Sequence, residues 1–176
     1  MAEHVALLRG INIGPYRRIA MGDLRELLTA QGYANVRTHL QSGNVLLRSD
    51  ADPQQLALAL EAQLATHFGF AVPIVVRSRE ELADVIARNP LGPTAADPKR
   101  HQVSFLTGEP PAELAAAIRA AALAPEAVAI SGREIFAWHP EGIIRSPLAK
   151  LLSSPKLGAT ARNWNTVTAL LDLAND

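Results

Sequence analysis

The order of strand-like and helix-like segments in the first 78 residues restricts the fold more than any other feature of this chain. Short apolar or alternating runs predict four strands, at residues 3–9, 35–41, 45–49 and 71–78. Between them, apolar residues recur at helical spacing from Met21 and again after Asp52, which predicts two helices. The resulting order β-α-β-β-α-β is that of the ferredoxin-like plait.

Capping residues lie at the boundaries that this order requires. Asp52 and Pro53 are typical of an N-cap and a first helical position, and Gly69 is typical of a helix end. Ser78 and Glu81 form a capping-box pattern, which predicts a connecting helix after the fourth strand. These signals support the plait independently of the hydrophobic pattern.

A second pattern of the same kind follows a linker that contains proline and glycine. Three strands and one alanine-rich helix are predicted, at residues 101–107, 126–131, 134–139 and 111–123. Ser146-Pro147 is typical of the start of a short helix, and Thr160 is a suitable N-cap for a last helix. The second order is therefore β-α-β-β-α-α, in which the last strand is replaced or lost.

We therefore expect an α+β fold of two ferredoxin-like (βαββαβ-type) α/β plaits, the second incomplete with a helical C-terminus. The expected domains are an N-terminal ferredoxin-like half, a connecting helix with a Pro/Gly linker, and a C-terminal plait-like half, at residues 1–78, 79–98 and 99–176.

Composition and charge exclude several functional classes. The 17 basic residues balance the 17 acidic ones, so the chain has no overall field that would attract nucleic acid. The absence of cysteine excludes disulfides, thiol nucleophiles and cysteine-ligated metals. No apolar run approaches the roughly 18 residues of a membrane span, and no basic, cleavable leader is recognisable. We expect a cytoplasmic protein, monomeric or homodimeric, without a membrane partner.

Catalytic and metal-binding patterns are absent from the sequence. The five histidines show no metal-ligand spacing, and neither a G-x-S-x-G elbow nor an H-E-x-x-H motif occurs. We therefore expect no metal and no cofactor, and the sequence leaves open whether the protein is an enzyme. Any catalysis should rest on electrostatic stabilisation without a covalent nucleophile.

Three polar segments hold more hydrogen-bonding side chains than turns and caps require. They comprise Arg9 and Asn12 after the first strand, Gln41, Ser42 and Asn44 around the Gly43 turn, and Arg162, Asn163 and Asn165 at the predicted N-terminus of the last helix. A helix N-terminus presents free backbone N–H groups and the positive end of the helix dipole, which favour an anion. An arginine adds a guanidinium that binds phosphate or carboxylate through two parallel hydrogen bonds.

Four motifs, in order along the chain, resemble those of the bacterial domain-of-unknown-function family sixteen-ninety-seven. They are LRGIN at residues 8–12, QSGNV at residues 41–45, Gly142-Ile143 with Ser146, and TARNW at residues 160–164 with Thr166 and Val167. The resemblance implies a cytoplasmic protein built on ferredoxin-like plaits, and it marks the eight polar residues named above as signature positions. It implies no reaction, cofactor or catalytic residue. Pro147 and Ala169 stand where lysine is common in similar sequences, which weakens a strong phosphate clamp.

These observations leave three functional hypotheses. In the first, the three polar segments converge on a pocket for a small molecule or anion, in which Arg162 fixes the anion and Arg9 assists. In the second, the same residues form a buried polar network, and the chain is a structural or protein-interaction module. In the third, the basic segment of residues 143–171 binds nucleic acid, although the zero net charge counts against it.

Overall fold

The computed structural model describes residues 1–176, which form eight strands and six helices. The first strands and helices are β1 (Ala2–Leu8), α1 (Met21–Ala30), β2 (Ala34–His39), β3 (Asn44–Ser49), α2 (Pro53–Phe68), β4 (Ile74–Ser78) and α3 (Arg79–Ala87). They are followed by β5 (His101–Phe105), α4 (Ala112–Ala121), β6 (Ala127–Ser131), β7 (Glu134–Trp138), α5 (Pro147–Leu152), β8 (Thr160–Asn163) and α6 (Trp164–Asn175). None of these helices combines the length and the apolar character that crossing a lipid bilayer requires.

The chain divides into two units, each with one four-stranded antiparallel sheet. The first unit consists of Met1–Ala83 and Leu170–Asp176, and the second of Asp84–Ala169. The strand order is β2-β3-β1-β4 in the first sheet and β6-β7-β5-β8 in the second. The two orders are equivalent, so the expected α+β fold with two ferredoxin-like plaits is confirmed, as is the helical C-terminus.

In the first unit, α1 and α2 pack against one face of the sheet. Asp52 caps α2 by accepting hydrogen bonds from the N–H groups of Gln54 and Gln55, at 3.0 and 2.9 Å. Gly69 ends that helix with a φ of 81°, which a glycine adopts without strain. The core combines helical side chains with alternate strand residues: Leu24, Leu28, Leu56, Leu60 and Leu64 with Ala6, Leu8, Val45, Leu47, Ile74 and Val76.

In the second unit, α4 and α5 cover the corresponding sheet face. Ser146 caps α5, since its Oγ accepts a hydrogen bond from the N–H of Ala149 at 2.9 Å. The helices contribute core residues that pack with one face of β7: Ile118, Leu148 and Leu152 with Ile135 and Ala137. Full burial of each large aliphatic side chain stabilises the fold by about 1.5–3 kcal/mol.

The expectation that the second plait lacks its last strand is wrong. Thr160–Asn163 forms β8, which pairs antiparallel with β5 at the edge of the sheet. Helix α6 begins only at Trp164, so Thr160 is not its N-cap and Arg162 is not a helical residue. The sequence TARN contains one apolar residue and no clear alternation, so its pattern does not predict a strand. A short edge strand is stabilised by backbone hydrogen bonds to its neighbour more than by its own apolar residues.

The register of the second sheet defines a face opposite α4 and α5, which we call the far face. Directly opposed residues share a face, so Val103 lies between Phe136 and Arg162, and Phe105 lies between Glu134 and Thr160. His101 opposes Trp138 on the same face. The far face therefore carries a row of buried apolar residues with Arg162 and Thr160 at its β8 edge.

Candidate functional site

The loop after β1 is closed by the side chain of Asn12. Its Nδ2 donates to the carbonyl oxygens of Ile19 and Gln41, at 2.9 and 2.7 Å, and its Oδ1 accepts from the N–H of Ile19 at 2.9 Å. The backbone of Asn12 has a φ of 56°, in the left-handed region that asparagine tolerates better than most residues. Asn12 thus holds the loop of Arg9 and Asn12 against the turn that begins at Gln41.

The turn at residues 41–44 fits tightly against β1. Asn44 is fully buried, and its Nδ2 donates to the carbonyl of His39 at 2.7 Å and to Ser42 Oγ at 3.2 Å. Gly43 has a φ of 91°, and a Cβ atom there would lie 2.8 Å from the Cβ of Leu8. The QSGN motif therefore encodes a close approach between two backbone segments, for which only glycine leaves room.

The side chains of Arg9, Gln41 and Ser42 reach the surface of the first unit to different extents. Gln41 and Ser42 are exposed, whereas Arg9 is half-buried and its N–H donates to the carbonyl of Pro73 at 3.0 Å. Asn12 is partly exposed as well, so Asn44 is the one predicted ligand contact of the first unit that is fully buried.

Arg17 stabilises the same loop and is a residue that the sequence reasoning missed. Its guanidinium donates to the carbonyl oxygens of Gly10 and Ala71, at 3.0 and 2.6 Å, and lies 5.2 Å from the ring centroid of Phe70. A single arginine in a loop has no sequence signal that distinguishes such a role from that of a solvated surface charge.

In the second unit, Arg162 lies on the far face of the edge strand β8. It opposes Val103 in the β5–β8 ladder, and its Nη1 donates to the carbonyl of Ala161 at 2.8 Å. The side chain is only partly exposed. Burial lowers the pKa of Arg162 to about 10, below its ordinary value, because removal from water disfavours the charged form.

Asn163 and Asn165 have the roles of helix-end residues. The Oδ1 of Asn163 accepts a hydrogen bond from the N–H of Thr166 at 2.9 Å, so Asn163 is the N-cap of α6 that was predicted at Thr160. Asn165 is exposed, and its carbonyl accepts from Thr168 Oγ1 at 3.1 Å. Asn163 therefore orders the helix start immediately after Arg162.

His101 and Trp164 form a stacked pair that sequence reasoning also missed. Their ring centroids are 4.7 Å apart with an interplanar angle of 13°. His101 is 1% exposed, its Nε2 has no hydrogen-bond partner, and burial lowers its pKa. Thr160 Oγ1, on the same far face, is likewise buried without a partner. The only advance signal is the period of two in β5, which puts His101 on the face of Val103 and Phe105.

The Gly142–Ser146 motif belongs to a second polar cluster in this unit. His139 Nδ1 and Ser146 Oγ both bond to the same carboxylate oxygen of Glu126, at 2.5 and 2.6 Å. Because Ser146 also caps α5, this cluster fixes the start of that helix. Ser146 Oγ bonds to Glu126 and not to the imidazole, so the three residues do not form a hydrolase triad.

A cleft of about 410 Å³ lies in the first unit beside Glu3, Arg48, Arg79 and Glu80. Its charges pair with one another, since Glu3 accepts from Arg48 at 2.9 Å and Arg79 donates to Glu80 at 2.5 Å. None of the predicted site residues lines this cleft. No group of three or more histidine or carboxylate side chains is arranged to hold a metal ion.

Comparison with known proteins agrees with the fold. The chain is similar to a solved structure described as the conserved bacterial protein SP0830 from Streptococcus pneumoniae, with a TM-score of 0.82 and 26% identity over 98% of each chain. No curated protein matches the sequence. The model of the family described as "Protein of unknown function (DUF1697)" matches residues 1–136, which is most of the chain. The chain therefore belongs to the DUF1697 family, whose description assigns no function.

Proposed function

We propose that the protein binds a small anion of the phosphate or carboxylate class through the guanidinium of Arg162. The observation that carries the proposal is the position of this arginine, which is partly buried on the edge strand β8, and burial also lowers its pKa. A net lowering means that the loss of hydration outweighs the stabilisation that surrounding groups give to the cation. A bound anion would offset that loss and would accept charge-assisted hydrogen bonds from the guanidinium.

The position of Arg162 supports the same proposal. Arg162 is on an edge strand, where a ligand can approach from the side that no other strand occupies. It lies two residues before the first residue of α6, whose positive dipole end favours a negative charge nearby. Asn163 uses its side chain to cap α6, so we assign it to the scaffold and not to the ligand.

The predicted ligand contacts of the first unit are considered apart from Arg162, which belongs to the second unit. Asn12 and Asn44 direct their amide groups to the loop and the turn, as a scaffold would require. Arg9, Gln41 and Ser42 retain the predicted role of ligand contacts. Arg9→Ala, measured in the same panel as the Arg162 variants, tests whether Arg9 contacts a ligand.

A thermal-shift panel on the full chain tests the proposal. Phosphate, sulfate, acetate, sugar phosphates, nucleotides and short oligonucleotides would be added to wild type, Arg162→Met and Arg145→Met, the last being an exposed arginine of the same unit. A ligand at 100 times its Kd adds about 2.7 kcal/mol, a shift of several degrees. We expect wild type and Arg145→Met to shift and Arg162→Met to remain unchanged. An equal shift in Arg162→Met would refute the assignment.

A structural or protein-interaction module is the second candidate function, and one observation favours it. The side chains of Asn12, Asn44 and Asn163 all bond to backbone groups of their own unit. Signature residues with such bonds can persist because buried polar groups need partners. This candidate predicts that no small anion shifts the melting temperature, while the asparagine variants lose stability. The oligonucleotide arm of the panel tests the nucleic-acid hypothesis.

A further inference from the structure

We infer that the cleft beside Glu3 and Arg48 binds a small amino acid, with the ligand carboxylate on Arg48 and its ammonium on Glu80. The cleft has a volume of about 410 Å³, within the range of small-molecule sites in proteins. Its lining includes Glu3, Arg48, Arg79, Glu80 and Asn175. These residues all belong to the first unit, so this inference does not rest on the anion site proposed at Arg162.

Arg48 carries more positive charge than its protein partner neutralises. Glu3 lies directly opposite Arg48 in the β1–β3 ladder, and its buried carboxylate accepts from Arg48 Nε at 2.9 Å. The other oxygen of Glu3 accepts from Arg37 Nη2 at 2.6 Å, so two arginines share one negative charge. Arg48 borders the cleft and is about half exposed, whereas Arg37 also donates to the carbonyl of Leu173 at 2.7 Å. The excess positive charge is therefore available to a ligand at Arg48.

The free donors of Arg48 match a carboxylate. The bond to Glu3 uses Nε, and neither Nη nitrogen has a hydrogen-bond partner within the protein. The two Nη atoms present a pair of parallel N–H groups at the end of the guanidinium, a geometry that binds both oxygens of a carboxylate. Because Nε is bonded to Glu3, the plane of the guanidinium is set before a ligand binds, which lowers the entropy cost of binding.

Glu80 supplies a negative charge on the same cleft. It lies in the first turn of α3, and its carboxylate accepts from Arg79 Nη2 at 2.5 Å. The side chain is 65% exposed, and a carboxylate has about four acceptor sites, so it retains acceptors for a ligand. Arg79 also donates to Asn175 Oδ1 at 3.1 Å, so its own charge is engaged within the protein.

The two free groups together select a zwitterion. A simple anion bound at Arg48 would be attracted by the guanidinium and repelled by Glu80 and Glu3, which border the same cleft. An ammonium on the same ligand replaces the repulsion from Glu80 with attraction and donates hydrogen bonds to it. A small molecule with both a carboxylate and an ammonium is an amino acid. The cleft should therefore favour amino acids over simple carboxylates and over simple amines.

A thermal-shift panel followed by calorimetry of the full chain tests this inference. The panel contains the common L-amino acids, with β-alanine and γ-aminobutyrate to vary the spacing of the two charges. The strongest ligand is then titrated beside its N-acetyl form, which lacks the ammonium, and its amide, which lacks the carboxylate. We expect wild type to bind the amino acid about fivefold more tightly than either derivative, the effect of one charged contact on an exposed cleft.

Substitutions locate the two contacts. Arg48→Met should weaken the amino acid about fivefold and leave the amide unchanged, whereas Glu80→Gln should weaken the amino acid and leave the N-acetyl form unchanged. Both variants should fold, since Glu3 keeps its bond to Arg37 and Arg79 can donate to an amide oxygen. Circular dichroism checks this. If Arg48→Met is unfolded, Arg48→Lys gives the same test, because it keeps a cation beside Glu3 without the paired N–H groups.

Control variants separate this site from the one at Arg162. Arg25→Met and Glu26→Gln replace exposed residues of α1 outside the cleft and should bind the amino acid as wild type does. Arg162→Met should also bind it as wild type does, whether or not phosphate binds at Arg162, so the two proposals fail separately. If no amino acid binds to wild type, or if Arg48→Met binds it as wild type does, the cleft site is refuted. An equal loss of all three ligand forms in Arg48→Met or Glu80→Gln also refutes that contact, because the variant then acts on the structure.

Discussion

Arg77 and Arg162 occupy the same position in the repeated topology of the two units. Arg77 opposes Val5 in the β1–β4 ladder, and Arg162 opposes Val103 in the β5–β8 ladder. In each unit the next residue caps the following helix. Ser78 Oγ accepts from the N–H three residues later, at 3.1 Å, and Asn163 Oδ1 does so at 2.9 Å. The repeat is therefore β-α-β-β-α-β-α, and it extends from element order to the role of single residues.

The two arginines differ in their access to solvent. Arg77 is 2% exposed, whereas Arg162 is partly exposed. Only the second position thus combines a desolvated cation with access for a ligand. This difference is why we place the anion site in the second unit.

Two substitutions of Asn12 should distinguish the stability that its side-chain hydrogen bonds contribute from the cost of its left-handed backbone conformation. Asn12→Gly keeps the left-handed φ of 56° and loses the three side-chain bonds, so it should lower the free energy of unfolding by about 2–3 kcal/mol. Asn12→Ala loses the same bonds and adds backbone strain, at a cost of about a further 1 kcal/mol. Urea unfolding measures both. Equal stability of Asn12→Gly and wild type would show that the loop does not depend on this side chain.

Removal of the α6 cap should cost a moderate amount of stability. Asn163→Ala leaves the N–H of Thr166 without its acceptor and should lower the free energy of unfolding by about 1 kcal/mol. Asn163→Asp keeps an acceptor and adds a negative charge at the helix N-terminus, so it should be as stable as wild type or slightly more stable. The contrast between the two variants in urea is the test. Two variants of equal stability would contradict the capping role.

Loss of the pair between Arg88 and Glu134 should lower the free energy of unfolding more than loss of the α6 cap does. Arg88 is hydrogen-bonded to Glu134 and donates to Ser131 Oγ at 2.6 Å, and Glu134 is buried. Arg88→Ala removes this cation from a buried carboxylate and should lower the free energy of unfolding by about 3 kcal/mol. The added change Glu134→Gln removes the buried negative charge and should recover part of that loss. A double variant less stable than Arg88→Ala would refute this explanation.

The stability of the protein should depend on pH through His101. Burial lowers the pKa of this residue below 6.5, so the unfolded chain takes up its proton at a higher pH than the folded protein does. More protons bound in the unfolded state mean that stability falls as the pH is lowered through 6.5 towards the folded pKa. Unfolding free energies at about pH 8 and about pH 5 should therefore differ less in His101→Phe than in wild type. If the free energy of unfolding changes equally with pH in wild type and His101→Phe, this would contradict the burial of a neutral imidazole at residue 101.

Local signals predicted those parts of the fold that depend on single residues. The Asp52 cap, the Gly69 end and the Ser78–Glu81 capping box all form, with the N–H of Ser78 donating to Glu81 at 2.9 Å. Strand β8 was missed because its pairing with β5 is a long-range property that four residues of mixed polarity do not encode. The position of Arg162 opposite Val103 depends on the same ladder and could not be predicted without it.

The most direct test of the account is urea unfolding of wild type and Arg162→Met, with and without inorganic phosphate. Methionine keeps the length and apolar contacts of the arginine stem and removes a desolvated charge. We therefore predict that without phosphate the two proteins agree within about 1 kcal/mol. Phosphate at about 100 times its Kd should stabilise only wild type, by about 2.7 kcal/mol. A variant that is far less stable than wild type without phosphate, or that gains as much stability from phosphate, would contradict the account.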